Sequence, residues 1–388
     1  MLVQRSPPAA YLRKSGEALT DNSRERARES DSLSPMPPAL FTPFTLRNLT
    51  LANRIVVSPM CQYSSEGGLA TEWHQVHLGQ FALGGAGLVW IEATGVEPRG
   101  RISPGCHGFW SDGHAKALEP VVAFFRKHGV AKLGIQLAHA GRKASTDVPW
   151  KGGKPLVEGA WETVAPSALP FDAGWHTPRA MDAVDMTTVR EAFASAAHRA
   201  AACGLDAIEV HAAHGYLLHQ FLSPLSNRRS DSYGGSLENR MRFPLEVFDA
   251  VRQTAQGLPV GVRVSATDWA DGGWTLDDTV AFARELKARG CDFIDVSSGG
   301  TLPKAKTPSG PGFQVPFAAT VRADAVIPTI AVGFIAEPAQ AEEIVASGQA
   351  DLVAMARAFL DDPHWPWHAA KALGGEAAYP PQYARAKK

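Results

Sequence analysis

The stretch Val260-Gly261-Val262-Arg263-Val264-Ser265, then Thr275-Leu276-Asp277-Asp278 through Gly290, then Phe293-Ile294-Asp295-Val296-Ser297, decides the fold. Its two short, nearly continuous apolar runs read as strands buried on both faces, and the segment between them reads as a covering helix. Thr275 and Asp278 stand three apart as a helix start, and Gly290 supplies the stop. Working outward, Ile55–Met60, Leu88–Ala93, Lys132–Leu137, Ala207–His211, Thr329–Val332 and Leu352–Ala356 repeat the strand pattern, which makes eight candidates. Eight strands alternating with helices predict an α/β fold closed into a (β/α)8 barrel, the TIM barrel, rather than an open doubly wound sheet.

Other segments set the boundaries. Thr188 and Glu191 read as a capping box ahead of an apolar stripe at Val189, Ala192, Phe193, Ala196 and Ala200. Phe44–Leu46 and Leu49–Leu51 flank Arg47-Asn48, a hairpin predicted to plug the barrel bottom. Residues 142–186 are too long for an ordinary connection. With Trp150, Trp161, Trp175 and several prolines and glycines, they read as a capping lid over a site. Ser23 through Asp31 is charged and almost without apolar side chains, which predicts a disordered N-terminal extension over 1–35. That extension has no apolar h-region and carries acids, unlike a targeting peptide. The expected organisation is one barrel over 36–388 behind this extension, with Met36 a candidate natural start.

With 388 residues, 45% hydrophobic and 20% charged, the chain has material for one large core. A net charge of -1 from 38 basic and 39 acidic residues offers no field for nucleic acid or an anionic membrane, so a small-molecule partner is expected. No apolar run approaches the ~20 residues that span a bilayer. Cys61, Cys106, Cys203 and Cys291 form no CxxC pair, which argues against a zinc ribbon or a clustered iron–sulfur site and fits free thiols in a cytoplasmic protein.

In such a barrel, functional groups gather at the C-terminal ends of the strands. The first strand delivers Ser58-Pro59-Met60-Cys61 and then Tyr63, the second Glu92-Ala93-Thr94, the third Gln136 and His139. The fourth delivers His211, His214 and Tyr216, the fifth Arg263, the sixth Ser297-Ser298-Gly299-Gly300, the seventh Gly333, the eighth Ala356-Arg357. Small residues after the sixth and seventh strands, with Arg357, suit a phosphate, although such glycines also serve turns that bind nothing. His211 and His214 can converge on one ligand atom, either as zinc ligands with His139 and Glu209 or as donors to a substrate oxygen. Cys61 by itself reads as a small buried residue. Arg263 inside a strand needs an anionic or strongly accepting partner, and no sequence neighbour supplies one.

Ser58-Pro59-Met60-Cys61-Gln62-Tyr63, Gln136 through Arg142, His211 through Tyr216, and Asn227 through Ser236 with Asn239-Arg240 together resemble the Old Yellow Enzyme family. The resemblance runs from about Leu40 to the C-terminus. Cys61 and the ending Gln382-Tyr383-Ala384-Arg385 resemble its thermophilic-like subclass. The resemblance implies a non-covalent FMN held by Ser58, Pro59, Met60, Cys61, Ala93, Gln136, Arg263, Gly333, Ala356 and Arg357, and reduced by NADPH or NADH. It implies reduction of activated alkenes, α,β-unsaturated carbonyl or nitro compounds, with His211 and His214 on the substrate oxygen and Tyr216 as proton donor. Cys61 and Tyr63 resemble the residues that tune the flavin and contact substrate. Arg385, in a C-terminal segment 376–388, resembles an arginine that enters the neighbouring subunit's pocket, which implies a homodimer or homotetramer. No GxGxxG follows a strand, which suits a nicotinamide that visits the flavin without a separate Rossmann domain. The larger iron–sulfur relatives that reduce dienoyl-CoA need clustered cysteines this chain lacks. The alternatives are a zinc-dependent barrel hydrolase using His139, Glu209, His211 and His214, and a non-catalytic flavin-binding protein.

Overall fold

The computed structural model describes residues 37–387, so the expectations for residues 1–35 and Met36 fall outside it. A hairpin comes first, β1 (Phe44–Leu46) against β2 (Leu49–Leu51), with Arg47 at its tip at φ 52°. Next come β3 (Ile55–Val57), β4 (Leu88–Gly95) and β5 (Lys132–Ala138), then a two-residue pair, β6 (Val164–Ala165) and β7 (Arg179–Ala180). The remaining strands are β8 (Ala207–Ala212), β9 (Val260–Ser265), β10 (Ile294–Ser297), β11 (Thr329–Ala331) and β12 (Leu352–Met355). The helices between them are α1 (Glu72–Leu83), α2 (Asp112–His128), α3 (Ala183–Ala202), α4 (Leu217–Leu222), α5 (Leu237–Thr254) and α6 (Leu276–Ala288). They continue with α7 (Val315–Ala325), α8 (Pro338–Ala346), α9 (Arg357–Asp361) and α10 (Trp365–Leu373).

Parallel pairing runs β3-β4-β5-β8-β9-β10-β11-β12 and returns to β3, closing the barrel. Each of the eight expected runs contributes one strand. The first stops three residues early, at Val57: Ser58 N–H makes a last bond to Met355 O at 3.0 Å, and Pro59 has no N–H to continue.

Side chains alternate between two cores, as a period of two requires. Inside the barrel, Val56, Leu88, Trp90, Ala207, Phe293, Ile330, Leu352 and Ala354 pack with Leu46 and Leu51 of the hairpin, which plugs the bottom. Their strand neighbours Ile55, Val57, Val89 and Ile91 face outward against helix residues such as Phe81 and Phe193. Each fully buried side chain of this size contributes roughly 1.5–3 kcal/mol. Two glycines make the interior fit its aromatics. A Cβ on Gly134 would lie 2.2 Å from the Trp90 ring, and one on Gly261 would lie 2.2 Å from Phe293.

The helix starts match the expectation at α6, where the Thr275 side chain accepts from the Asp278 N–H and Gly290 follows the end at φ 86°. They differ at α3. That helix starts at Ala183, with Asp182 and Asp185 forming the capping box. Thr188 lies a turn inside and donates its hydroxyl to Val184 O at 2.9 Å. Asp182 wins because its carboxylate accepts the Asp185 N–H at 2.8 Å while Asp185 returns the bond at 3.1 Å. The excursion after β5 therefore ends at residue 182, not 186. It is pinned by the β6–β7 pair, by the Trp161 indole donating to Arg99 O at 3.1 Å, and by Arg179 bonding both oxygens of Asp185.

Candidate active site

At the mouth of β8 the chain makes an abrupt turn through two successive left-handed residues, His214 at φ 59° and Gly215 at φ 72°. A Cβ at Gly215 would lie 2.2 Å from Gly300 O, so the second position accepts only glycine. His214 N–H donates to Ser265 Oγ at 2.9 Å, and Lys143 Nζ donates to His214 O at 2.8 Å and Gly300 O at 3.1 Å. Gly215 N–H donates to His219 Nδ1 at 2.9 Å. The other His219 nitrogen faces Asp268 Oδ1 at 3.1 Å in a fully buried pair. Asp268 Oδ2 also accepts the Ser223 hydroxyl at 2.5 Å and the Trp274 N–H at 2.8 Å.

This turn sets the three rings singled out in the sequence side by side. His211 lies 5.1 Å from His214 at 88°, and 5.1 Å from Tyr216 at 81°. His211 Nδ1 accepts the Ala213 N–H at 3.2 Å, which places the imidazole proton on Nε2. The two histidines do not present free nitrogens to one point, because the left-handed His214 turns its Nε2 to Ser297 Oγ at 2.8 Å. Burial, then the Arg263 charge, holds both imidazoles well below their ordinary range, so both are neutral. Burial pushes the Tyr216 phenol well up and keeps its proton on. Lys143, absent from the sequence expectations, lies over the Tyr216 ring at 4.9 Å, and burial lowers its ammonium to about 8.

Facing this group is the segment after β3. Tyr63 sits at φ 51°, and burial and then the neighbouring Cys61 push its phenol well up. A bulge between Ile91 and Ala93 re-aims Glu92, whose Oε2 accepts the Gln62 N–H at 3.0 Å and whose Oε1 is 3.4 Å from His74 Nε2. Burial and then Glu92 push the Cys61 thiol well up, so Cys61 is a thiol, not a thiolate. Trp150 of the excursion meets Tyr63 edge-on at 5.7 Å.

On the opposite side of the mouth, Gln314, Gly333, Phe334, Met355, Ala356 and Arg357 line a cavity of about 400 Å³. A Cβ at Gly333, φ 123°, would lie 2.8 Å from Gln314 Nε2, so a small residue here keeps backbone open to an anion. Arg357 lies over the Phe334 ring at 4.2 Å. Between the two ends, Ser58 Oγ and Arg263 Nε are buried without a hydrogen-bond partner among the protein's groups. Arg263 has the acidic neighbour that its sequence surroundings lacked: Asp295 Oδ2, 3.3 Å away on β10. Cation and glycine at one end, unpaired donors in the middle and an apolar wall together fit a phosphate-tailed, acceptor-rich ring such as FMN. Gln136 Nε2, also expected to face the ring, donates to Glu209 at 2.7 Å.

The set His139, Glu209, His211 and His214 does not converge as zinc ligands. His139 is committed to Glu97 at 2.8 Å and to the Gly141 N–H at 3.0 Å. Among the described residues no group of three or more His, Cys, Asp or Glu could hold a metal ion. The Asn227–Ser236 motif is scaffold: Asn227 bonds Phe221 O and Tyr233 O, and Arg240 bonds Leu222 O, tying α4 to α5. Arg385 is exposed on a 3-10 turn, Pro381–Ala386, held near α10 by Tyr379 stacked on Trp367 at 4.2 Å. No helix among the described residues is long and apolar enough to cross a membrane.

Residues 39–376 match the NADH:flavin oxidoreductase / NADH oxidase family. An NADPH dehydrogenase of Geobacillus sp. (strain WCH70) is 48% identical over 352 residues, 90% of this chain and 99% of that one. Morphinone reductase superposes with a TM-score of 0.74 at 30% identity, covering 90% of this chain and 93% of the other. A 2-naphthoyl-CoA reductase in complex with 2-naphthoyl-CoA superposes at 0.78 and 25% identity over 86% of this chain, which spans 52% of that larger one. The chain belongs to the NADH:flavin oxidoreductase family, the Old Yellow Enzyme family of FMN-dependent oxidoreductases supplied by NAD(P)H.

Proposed function

We propose that the protein reduces the C=C bond of α,β-unsaturated carbonyl or nitro compounds. The observation that carries this is the meeting of two neutral histidines and a protonated tyrosine at the barrel mouth, above a buried arginine. Bound FMN would supply the hydride chemistry that links NADPH or NADH to the substrate β-carbon. Arg357, Gly333 and Ala356 would hold its phosphate. Ser58, Pro59, Met60, Cys61, Ala93, Gln136 and Arg263 would hold its ring, with Arg263 at the electron-rich pyrimidine end.

The chain's residues supply the rest. His211 donates Nε2–H to the substrate's carbonyl or nitro oxygen, and that oxygen takes the place of the Ser297 hydroxyl at His214 Nε2. Neutral imidazoles donate without adding a buried charge, and their donation strengthens as negative charge grows on the oxygen. Tyr216 holds a proton for the substrate α-carbon, and the Lys143 ammonium over its ring favours the phenolate left behind. Cys61 and Tyr63 close the substrate face, and Trp150 of the excursion, residues 142–182, covers Tyr63 as part of a lid. The N-terminal extension plays no part in this cycle.

We further propose a cytoplasmic homodimer or homotetramer in which the C-terminal segment carries Arg385 into the partner's substrate pocket. The stacked Tyr379 and Trp367, which anchor that segment, support it. The chemistry is tested by adding NADPH and then 2-cyclohexenone anaerobically to the FMN-loaded protein. Flavin absorbance should bleach and then return with formation of cyclohexanone. Bleaching with no return on addition of the enone would leave only a flavin-binding protein.

A further inference from the structure

Four polar side chains on neighbouring strands meet inside the barrel: Gln136 on β5, Glu209 on β8, Arg263 on β9 and Asp295 on β10. Gln136 and Glu209 are cross-strand partners in one register, Arg263 and Asp295 in another. Both carboxyl groups are 0% exposed and Arg263 is 6% exposed. Gln136 satisfies Glu209 Oε1, and Arg263 stands 3.3 Å from Asp295 Oδ2 without hydrogen-bond geometry. Glu209 Oε2 and both Asp295 oxygens are left buried without a donor, on the two strands that flank β9 and its Arg263.

Acceptor facing acceptor is unfavourable in a dry interior, and two carboxylates against one guanidinium leave a net negative charge buried. One proton removes both problems: it supplies the missing donor and brings the cluster to zero net charge. We infer that Glu209 and Asp295 share a single proton as O–H···O⁻, a positioning pair that keeps one negative charge, and only one, against Arg263.

The other titratable groups bearing on the cluster are His211, opposite Arg263 in the β8–β9 register, and His214 beyond it. Both are neutral and supply no charge. Burial raises both carboxyls above their ordinary range, and the Asp295 charge raises Glu209 further, in keeping with a held proton; the pair titrates as one unit. Raised carboxyls contribute stability at low pH and lose it as pH rises through the pair's titration. The consequence for chemistry rests on Arg263 facing the flavin. With one carboxylate beside it, Arg263 still favours electron density there; a second ionisation would over-neutralise it and make the bound flavin harder to reduce.

The test reads the proton and the potential separately. Infrared spectra of the FMN-free and FMN-loaded protein at neutral pH should show a protonated-carboxyl C=O band that shifts in D2O. The band should be lost in E209Q, whose amide replaces the O–H donor at unchanged cluster charge. Reduction of FMN itself consumes a proton, so the midpoint potential falls with rising pH in every variant; in alkaline solution it should fall more steeply in the wild type than in E209Q. Absence of the band in the wild type, a measurement that needs no variant to fold, overturns the shared proton, as does a band unchanged in both E209Q and D295N. A band that behaves as expected, beside a potential that falls equally steeply in the wild type and E209Q, overturns the link to the cofactor and leaves the shared proton standing.

Discussion

Asp268→Asn changes one oxygen to nitrogen in a fully buried site, yet it should loosen the turn at His214–Tyr216, more than 50 residues earlier in the chain. The Asp268 carboxylate accepts from Ser223 Oγ and Trp274 N, and its other oxygen faces His219 Nε2 at 3.1 Å. Against burial, His219 first and then the Ser223 and Thr301 hydroxyls hold its carboxyl far below the usual range. An asparagine must turn its NH2 toward at least one of these donors. The position that bears on the turn is His219, whose ring then keeps only the Thr301 hydroxyl, 3.4 Å from Nε2, to hold it under Gly215 N–H. A hydrogen bond to a charged group is worth about 1.5–3 kcal/mol. At 1.36 kcal/mol per tenfold, the turn at His214–Tyr216 should open roughly 10- to 150-fold more often. Amide exchange of the peptide spanning residues 211–223, followed by mass spectrometry in the FMN-loaded protein, reads that opening directly. Enone reduction should fall while FMN content, set by the far side of the mouth, stays normal. Exchange within twofold of wild type would refute the clamp, since no other side chain accepts the Gly215 N–H.

Removing a ring should act on substrate rather than on flavin. His211→Ala or His214→Ala is expected to slow enone reduction ~100-fold or more with FMN retained, checked by steady-state rates beside the flavin spectrum. Acid should unfold the protein through its buried imidazoles. Burial lowers His107 to about 3 and His77 to about 4, so stability is full above about 6.5 and is lost as pH falls toward those values. At pH 5 each costs at most about 2 kcal/mol. Equal urea midpoints at pH 7 and pH 5 would contradict this. Mixed dimers of Arg385→Ala with His211→Ala subunits should hold one doubly disabled pocket and one intact pocket, leaving half-site activity. Two singly impaired pockets would mean that Arg385 acts in its own chain.

The barrel was legible in the sequence because its signals are local. A buried parallel strand declares itself in four to eight apolar residues, and Thr275, Asp278 and Gly290 mark a helix within its own span. The hairpin at 44–51 and the residues at the strand ends were legible for the same reason, since fold and period dictate which positions reach the mouth. The start of α3 was misread because two overlapping capping patterns compete there. Only the packed chain shows Asp182 and Asp185 bonding each other while Thr188 turns back on the helix.

What the tertiary structure alone decided is who partners whom across long separations. Asp295 answers Arg263 from the next strand, and Glu209 takes the Gln136 amide rather than a metal. His139 goes to Glu97, and His214 turns away from His211 to Ser297. Residue type announced that each of these buried polar groups needed a partner. Closing the barrel brings strands 30 to 75 residues apart into register, so the choice among many equally suitable partners is made by geometry the linear chain does not contain.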